Sequence, residues 1–337
     1  MDHEGEVRSV KDVARPAFTL HTSHVTLLVV VVAALAYPWV FTLPYQQHVA
    51  ILVFMYGLMA VAWNILGGYT GQVSLGNTMF FGAGAYTSTF LLRNYLISPW
   101  GGLLAGIVVS VLIALVVGWP TFRLGGHYFA IATIAVATII QTIVLNTQQL
   151  GAAVGISLPI LPESWINMEF HGTDKLPYYY IILEFLALAM FSVYRIERSK
   201  WAFYFRAIRE DPLGARALGV NVRRYKLLAF VLSAVFTSMA GTFYAQYVLF
   251  IDPESTLTLQ ISILMCLMAV LGGVGTLWGP IIGAAILIAI SEGSRLALGG
   301  TGQAIDLLIY GFLVMAVAVY QPKGLMGLVQ RAGRRRG

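Results

Sequence analysis

The chain has 337 residues, of which 58% are hydrophobic and only 11% charged, and its mean hydropathy is +0.77. Soluble domains carry about 25% charged residues, so a soluble globular fold is excluded; at roughly 20 apolar residues per crossing the length suits about ten membrane spans. The net charge of +6 does not indicate nucleic acid, because nine of the 21 basic residues lie between Arg195 and Lys226 and five more (Lys323, Arg331, Arg334, Arg335, Arg336) lie in the tail. Basic residues gathered at the ends of apolar runs are what the positive-inside rule produces. Cys266 is the single cysteine, so no disulfide can form within the chain.

In chain order, residues 1–24 form a polar N-terminal segment that mixes Asp2, Glu4, Glu6 and Asp12 with Arg8, Lys11 and Arg15. That is a poor start for a secretory signal, so the first apolar run is expected to remain as a span although Ala34-Leu-Ala36 resembles a cleavage site. Ten apolar segments follow: 25–43, 49–66, 74–92, 101–119, 128–146, 178–194, 227–249, 259–271, 280–297 and 304–320. The eighth is short enough to be a half-helix or re-entrant piece, allowed only where protein or water covers its ends. The expected fold is an all-α integral membrane protein with its spans in 25–320 and a basic tail at 321–337. The basic loop 195–226 and the tail are placed in the cytoplasm, the acidic loop 147–177 outside, and an even number of crossings on either side puts both termini in the cytoplasm.

Three stretches could carry function. Gly67 to Tyr86 contains six glycines together with Gln72, Ser74, Asn77 and Thr78. Glycine weakens a helix by up to about 1 kcal/mol relative to Ala, and unwound backbone at membrane depth is tolerated where it lines a cavity. Gln72, Ser74, Asn77, Thr78, Gly82 and Gly84 are therefore candidates for a solute path, with close helix packing as the alternative. Gly272 to Gly283 predicts a tight turn followed by a helix with Pro280 in its first turn; it is either a gating turn or a simple hairpin.

The third stretch is Arg206 to Lys226. Asp211-Pro212 has the form of an N-cap followed by Pro at N1, and Gly219 suits the residue that ends a helix. A short helix over Pro212–Leu218 is predicted, with Leu213, Ala217 and Leu218 on one face and Arg206, Arg209 and Arg216 around it. Such an element either docks in a partner protein or lies on anionic lipid.

Glu184, the pair Glu292 and Arg295, and Asp306 are the ionisable residues within spans, all near span ends. They do not form the carboxylate relay of an ion-driven carrier acting alone, which is one rival function. The six histidines have no metal-ligand spacing, there is no G-x-x-x-x-G-K-[ST] phosphate loop, and no nucleophile–base arrangement can be argued; neither a metal nor an enzymatic activity is expected.

Gly71-Gln-Val-Ser-Leu-Gly-Asn-Thr-Met-Phe-Phe-Gly-Ala-Gly-Ala-Tyr86, His127-Tyr-Phe-Ala-Ile-Ala-Thr133, Arg206-Ala-Ile-Arg-Glu-Asp211 with Ala217-Leu-Gly-Val-Asn221, and Leu271-Gly-Gly-Val-Gly-Thr-Leu-Trp-Gly-Pro280 together resemble the permease subunits of branched-chain amino acid ABC importers. The resemblance runs from about Gly57 to Gly327. It implies a multi-pass subunit of a bacterial inner membrane, paired with a second, similar permease. Two ATP-binding subunits beneath would hold ATP and Mg, this chain holding no cofactor, and a periplasmic solute-binding protein would deliver solute. It assigns Arg206, Arg209, Glu210, Asp211, Leu213, Ala217 and Gly219 to an ATPase-coupling loop and places 67–86 along the translocation path. Two departures, Leu150-Gly-Ala-Ala-Val-Gly-Ile156 where the family often has Thr-Gly-Gly-x-x-Gly-Ile and Pro212-Leu-Gly214 after the Arg-Glu-Asp, leave urea or a short amide as the alternative solute.

Overall fold

The computed structural model describes residues 24–123, 126–170, 175–297, 311–312, 315 and 324–327. Residues up to Val40 form one unit and those from Phe41 onward a second. The described part of the first is a single apolar helix, α1 (His24–Val40).

The second unit is mostly helical. Its elements are α2 (Pro44–Thr70), α3 (Thr78–Tyr95), α4 (Pro99–Thr121), α5 (His127–Asn146), α6 (Leu176–Glu197), α7 (Lys200–Glu210), α8 (Pro212–Ala217), α9 (Val222–Val248), α10 (Pro253–Leu257), α11 (Leu259–Gly272) and α12 (Gly279–Ala297). Pro at the first or second position opens α2, α4, α6, α8 and α10, where its missing N–H costs the helix nothing and its fixed φ is already helical. Among the described residues six helices are long and apolar enough to cross a membrane: α2, α4, α5, α6, α9 and α10–α11 taken together.

Several expectations change. The second span is longer than 49–66, since α2 continues through Gly67 and Gly68 to Thr70 and ends at Gly71, whose φ of +71° lets its N–H return to the Leu66 carbonyl. The third does not begin at 74; residues 71–77 are non-helical and α3 starts at Thr78. The eighth segment is α11, 14 residues long, and the structure extends it N-terminally: Asp252 caps α10 in a reciprocal capping box with Ser255, and Thr258 alone separates α10 from α11, so that Pro253–Gly272 together are long and apolar enough to cross a membrane. The loop 147–177 and the segment after α9 join in a two-stranded antiparallel ribbon, β1 (Ile156–Ser157) with β2 (Phe250–Ile251). The tenth segment, 304–320, and Asp306 lie outside the described residues apart from helical positions 311, 312 and 315.

Two groups of helices build the core. In the first, α3, α4 and α9 pack mutually through small residues: a Cβ added to Gly84 would lie 2.1 Å from the Ser238 carbonyl oxygen, and one on Gly241 2.0 Å from that of Phe81. Only residues without a Cβ allow backbones this close. Phe80, Phe122, Phe129 and Phe230 then tie α3, the end of α4, α5 and α9 together, with ring centroids 4.8 to 5.9 Å apart. In the second group α2 packs on α12 and α11 around Ala60, Met268, Leu271, Ala284, Leu287 and Ile288, and also against α6.

Candidate functional site

The break between α2 and α3 is the organising feature. Gly71 lies against Arg209 on α7, while Asn77 Nδ2 donates to Ser233 Oγ, 2.9 Å away in the body of α9. Seven extended residues can reach up to about 25 Å, and these two contacts show that the chain leaves the end of α2 and runs back into the bundle before α3 begins. Exposure alternates along it: Gly71 and Val73 are exposed and Leu75 is partly so, whereas Gln72, Ser74 and Gly76 are buried. That is the two-residue period of extended backbone.

The buried groups hold the segment in place. Trp63 Nε1 donates to the Ser74 carbonyl at 2.7 Å, and the Leu75 amide donates to Thr133 Oγ1 of α5 at 3.2 Å. The Thr78 amide donates to Ser262 Oγ at 2.8 Å, and Thr78 Oγ1 to the Thr256 carbonyl at 3.0 Å. Buried backbone polar groups must find partners, and Thr133 of α5 and Ser262 of α11 meet that need where no helix ladder exists.

Of the residues expected along a path, Ser74, Asn77 and Thr78 are thus fully buried and Gln72 is nearly so. Gly82 and Gly84 do not face open space in this structure. A Cβ on Gly82 would sit 2.2 Å from Leu257 Cδ2, and Gly84 meets Ser238. Both stand at close contacts between packed segments. The accessible surface beside the break belongs instead to Val73, Leu75 and α5.

Among the six long helices α5 is the least buried. Its exposed stripe includes Tyr128, Ile131, Ala135, Thr138, Thr142 and Asn146. Thr138 and Thr142 donate to carbonyls four residues back at 3.0 and 2.8 Å, and Asn146 Nδ2 to the Thr142 carbonyl at 2.8 Å. None of the candidate site residues read from the sequence lies on this helix; the polar residues recurring about every four positions in an otherwise apolar run were the available signal.

At the other end of the break the three stretches singled out from sequence meet. Arg209 Nη1 donates to the Gly68 carbonyl at 2.7 Å. Asn64 Nδ2 donates to the Thr276 carbonyl at 3.0 Å, and its Oδ1 accepts from the Gly275 amide at 2.8 Å. Gly275 has φ of +76°, and a Cβ there would lie 2.4 Å from Arg209 Nη1. Likewise a Cβ on Gly68 would meet Asn64 Oδ1 at 1.9 Å and the Gly275 amide at 2.7 Å. Tyr69 OH donates to Glu197 Oε1 at 2.6 Å, tying the same end of α2 to the end of α6. The 272–279 turn is thus keyed into α2, not a free hairpin.

The expected short helix is α8. Asp211 caps it, Oδ1 accepting from the Leu213 amide at 2.9 Å, and Gly219 follows with φ of +81°. Ile208, Ala215 and Val222 form a small core that fixes α7 and α8 against the start of α9. Leu213 and Leu218 are left 74% and 85% exposed, and Ala217, Glu210 and Asp211 are also exposed. Arg206 is half-buried on α7. Elsewhere, Glu292 and Arg295 pair at 3.0 Å and Glu184 is exposed.

A family model described as the permease component of the branched-chain amino acid transport system matches residues 46–318. The chain is 27% identical to the high-affinity branched-chain amino acid transport permease LivM of Escherichia coli, over 96% of this chain and 81% of LivM. It is 25% identical to the permease LivH of the same organism and to BraD of Pseudomonas aeruginosa, in each case over 81% of this chain and 91% of the relative.

Proposed function

Because the chain belongs to the family of branched-chain amino acid transport permease components, we propose that it is the membrane subunit of an ATP-binding-cassette importer that moves branched-chain amino acids into a bacterial cell across the inner membrane. Its ten apolar segments cross with both termini in the cytoplasm. A second permease pairs with it, two ATPase subunits that hold ATP and Mg bind its cytoplasmic end, and a periplasmic binding protein supplies solute. Supporting this are its similarity to both LivM and LivH, two permeases of one organism, and the concentration of basic residues at 195–226 and in the tail.

One observation carries the mechanism: Arg209, one residue before the Glu210-Asp211 junction of α7 and α8, bonds Gly68 at the end of α2 and lies close beside Gly275 of the turn. The exposed Leu213 and Leu218 dock into the ATPase. When ATP closes the ATPase pair, α7 and α8 move as one body about their shared core, and Arg209 passes the displacement to α2 and to the 272–279 turn. The break at 71–77 is the compliant element, because it carries no helical ladder to be broken. Solute passes along the accessible face of that break and the polar stripe of α5, toward the second permease.

Uptake of labelled leucine and of labelled urea into vesicles holding the ATPases, the partner permease, the binding protein and ATP tests this function. Leucine uptake that requires ATP supports it. Urea uptake without leucine assigns the alternative solute, and uptake driven by an ion gradient without ATP refutes it.

A further inference from the structure

A groove of about 470 Å³ lies between α4, α7 and α9, within the roughly 300–1,000 Å³ range of ligand sites. Leu115 of α4 and Leu227, Leu228 and Val231 of α9 form its apolar wall, and Arg224 and Trp201 stand at its mouth. Arg224 is in the first turn of α9 and Val231 seven residues on, so at 1.5 Å per residue the groove runs about 10 Å from a cation toward apolar depth. No acid is paired with Arg224 among the described residues. Beside it Arg223 is held over the Trp119 ring at 4.0 Å and donates to the Trp119 carbonyl, with its Nε buried and unpartnered. Trp119 and Trp201 are both exposed. Exposed tryptophans beside fixed arginines mark a membrane–water interface.

We propose that this groove binds one anionic glycerophospholipid of the cytoplasmic leaflet, its phosphate on Arg224 and Arg223 and one acyl chain along Leu115, Leu227, Leu228 and Val231. The groove sets Arg224 at the mouth of an apolar channel leading inward, with Arg223 at the adjacent position of the same helix turn, which is the distribution of charge and hydrocarbon in such a lipid. Basic residues at the cytoplasmic surface each gain about 1 kcal/mol from anionic lipid. Trp201 belongs to α7, the helix that carries Arg209, so the bound lipid braces the coupling element from the membrane side. The leaflet assignment rests on the orientation proposed above, but lipid retention is read without transport, so failure of one is not failure of the other.

Native mass spectrometry of the intact complex, released from micelles of mixed phosphatidylglycerol and phosphatidylethanolamine, tests the site. One phosphatidylglycerol per copy of this chain is expected to survive activation. Arg224→Gln should lower its occupancy about five-fold, and Leu228→Trp, which fills the groove, should lower it as well. Arg93→Gln, on α3, should not. Equal occupancy in wild type, Arg224→Gln and Leu228→Trp would overturn the proposal. So would retention of phosphatidylethanolamine equal to that of phosphatidylglycerol, or loss of a protein subunit instead of a lipid in Leu228→Trp, which would make the groove a protein interface.

Discussion

Arg209 and Gly68 are 141 positions apart, yet the Arg209 guanidinium donates to the Gly68 carbonyl at 2.7 Å. The bond satisfies one of the last carbonyls of α2, which no helix can pair internally, with a cation at the negative end of the helix dipole. The guanidinium fills the space a Cβ on Gly275 would need, and a Cβ on Gly71 would stand 3.2 Å from Arg209 Cγ, a tight contact that the long Arg209 side chain can relieve by a small shift.

Arg209→Ala removes that bond and leaves the Gly68 carbonyl without its charged donor. Hydrogen bonds to charged groups are worth about 1.5–3 kcal/mol. With the complex intact, ATP hydrolysis is expected to continue while leucine uptake per ATP falls by at least about ten-fold. A simultaneous assay of hydrolysis and uptake checks this, and an unchanged ratio would remove Arg209 from the coupling route.

Gly275→Ala puts a Cβ against Arg209 Nη1 at a residue with φ of +76°. Both the clash and the left-handed backbone count against it, at about 1–3 kcal/mol. Uptake should fall as in Arg209→Ala. Gly219→Ala is the comparison: φ is also positive, at +81°, but nothing lies within 4 Å of a Cβ there, so the cost is backbone strain alone and the loss should be smaller. Equal losses would mean that the space beside Arg209 is unimportant.

Gly84→Ala is expected to destabilise the bundle by about 1–3 kcal/mol, because the added methyl would stand 2.1 Å from the Ser238 carbonyl, which as backbone cannot turn aside. Thermal unfolding in detergent should show a lowered midpoint before any effect on solute is considered. A normal midpoint with blocked uptake would return Gly84 to the translocation path.

Thr142→Leu on α5 keeps the helix and removes an exposed hydroxyl from the polar stripe. Uptake should drop several-fold with unchanged assembly, measured by labelled leucine and copurification of the second permease. Unchanged uptake would move the solute route off this face.

The elements that sequence made legible are those fixed by local chemistry. Asp211, Pro212 and Gly219 specify α8 through capping and backbone preference, and α8 runs over Pro212–Ala217 with Leu218 as its cap. Apolar length located the six described helices that are long and apolar enough to cross a membrane. What sequence concealed depends on contacts between distant residues. Gly67 and Gly68 suggested a weak helix, but Trp63 and Asn64 fill the spaces beside them and α2 continues. Gln72, Ser74, Asn77 and Thr78 suggested a polar lining, but Trp63, Thr133, Ser233 and Ser262 position the break that carries them from four other helices or turns of the chain. A polar residue in an apolar run can face either a cavity or a buried partner, and spacing alone does not distinguish the two.

In the proposed assembly α8 joins this chain to an ATPase through Leu213. Leu213 is 74% exposed and its amide is already capped by Asp211, so Leu213→Asp should fold normally while placing a charge where apolar contact is needed. Copurification of the ATPase subunits with Leu213→Asp, at unchanged thermal midpoint of the permease, is the direct measurement. Loss of the ATPases together with ATP-driven leucine uptake is the expected result; full copurification with normal uptake would contradict the claim.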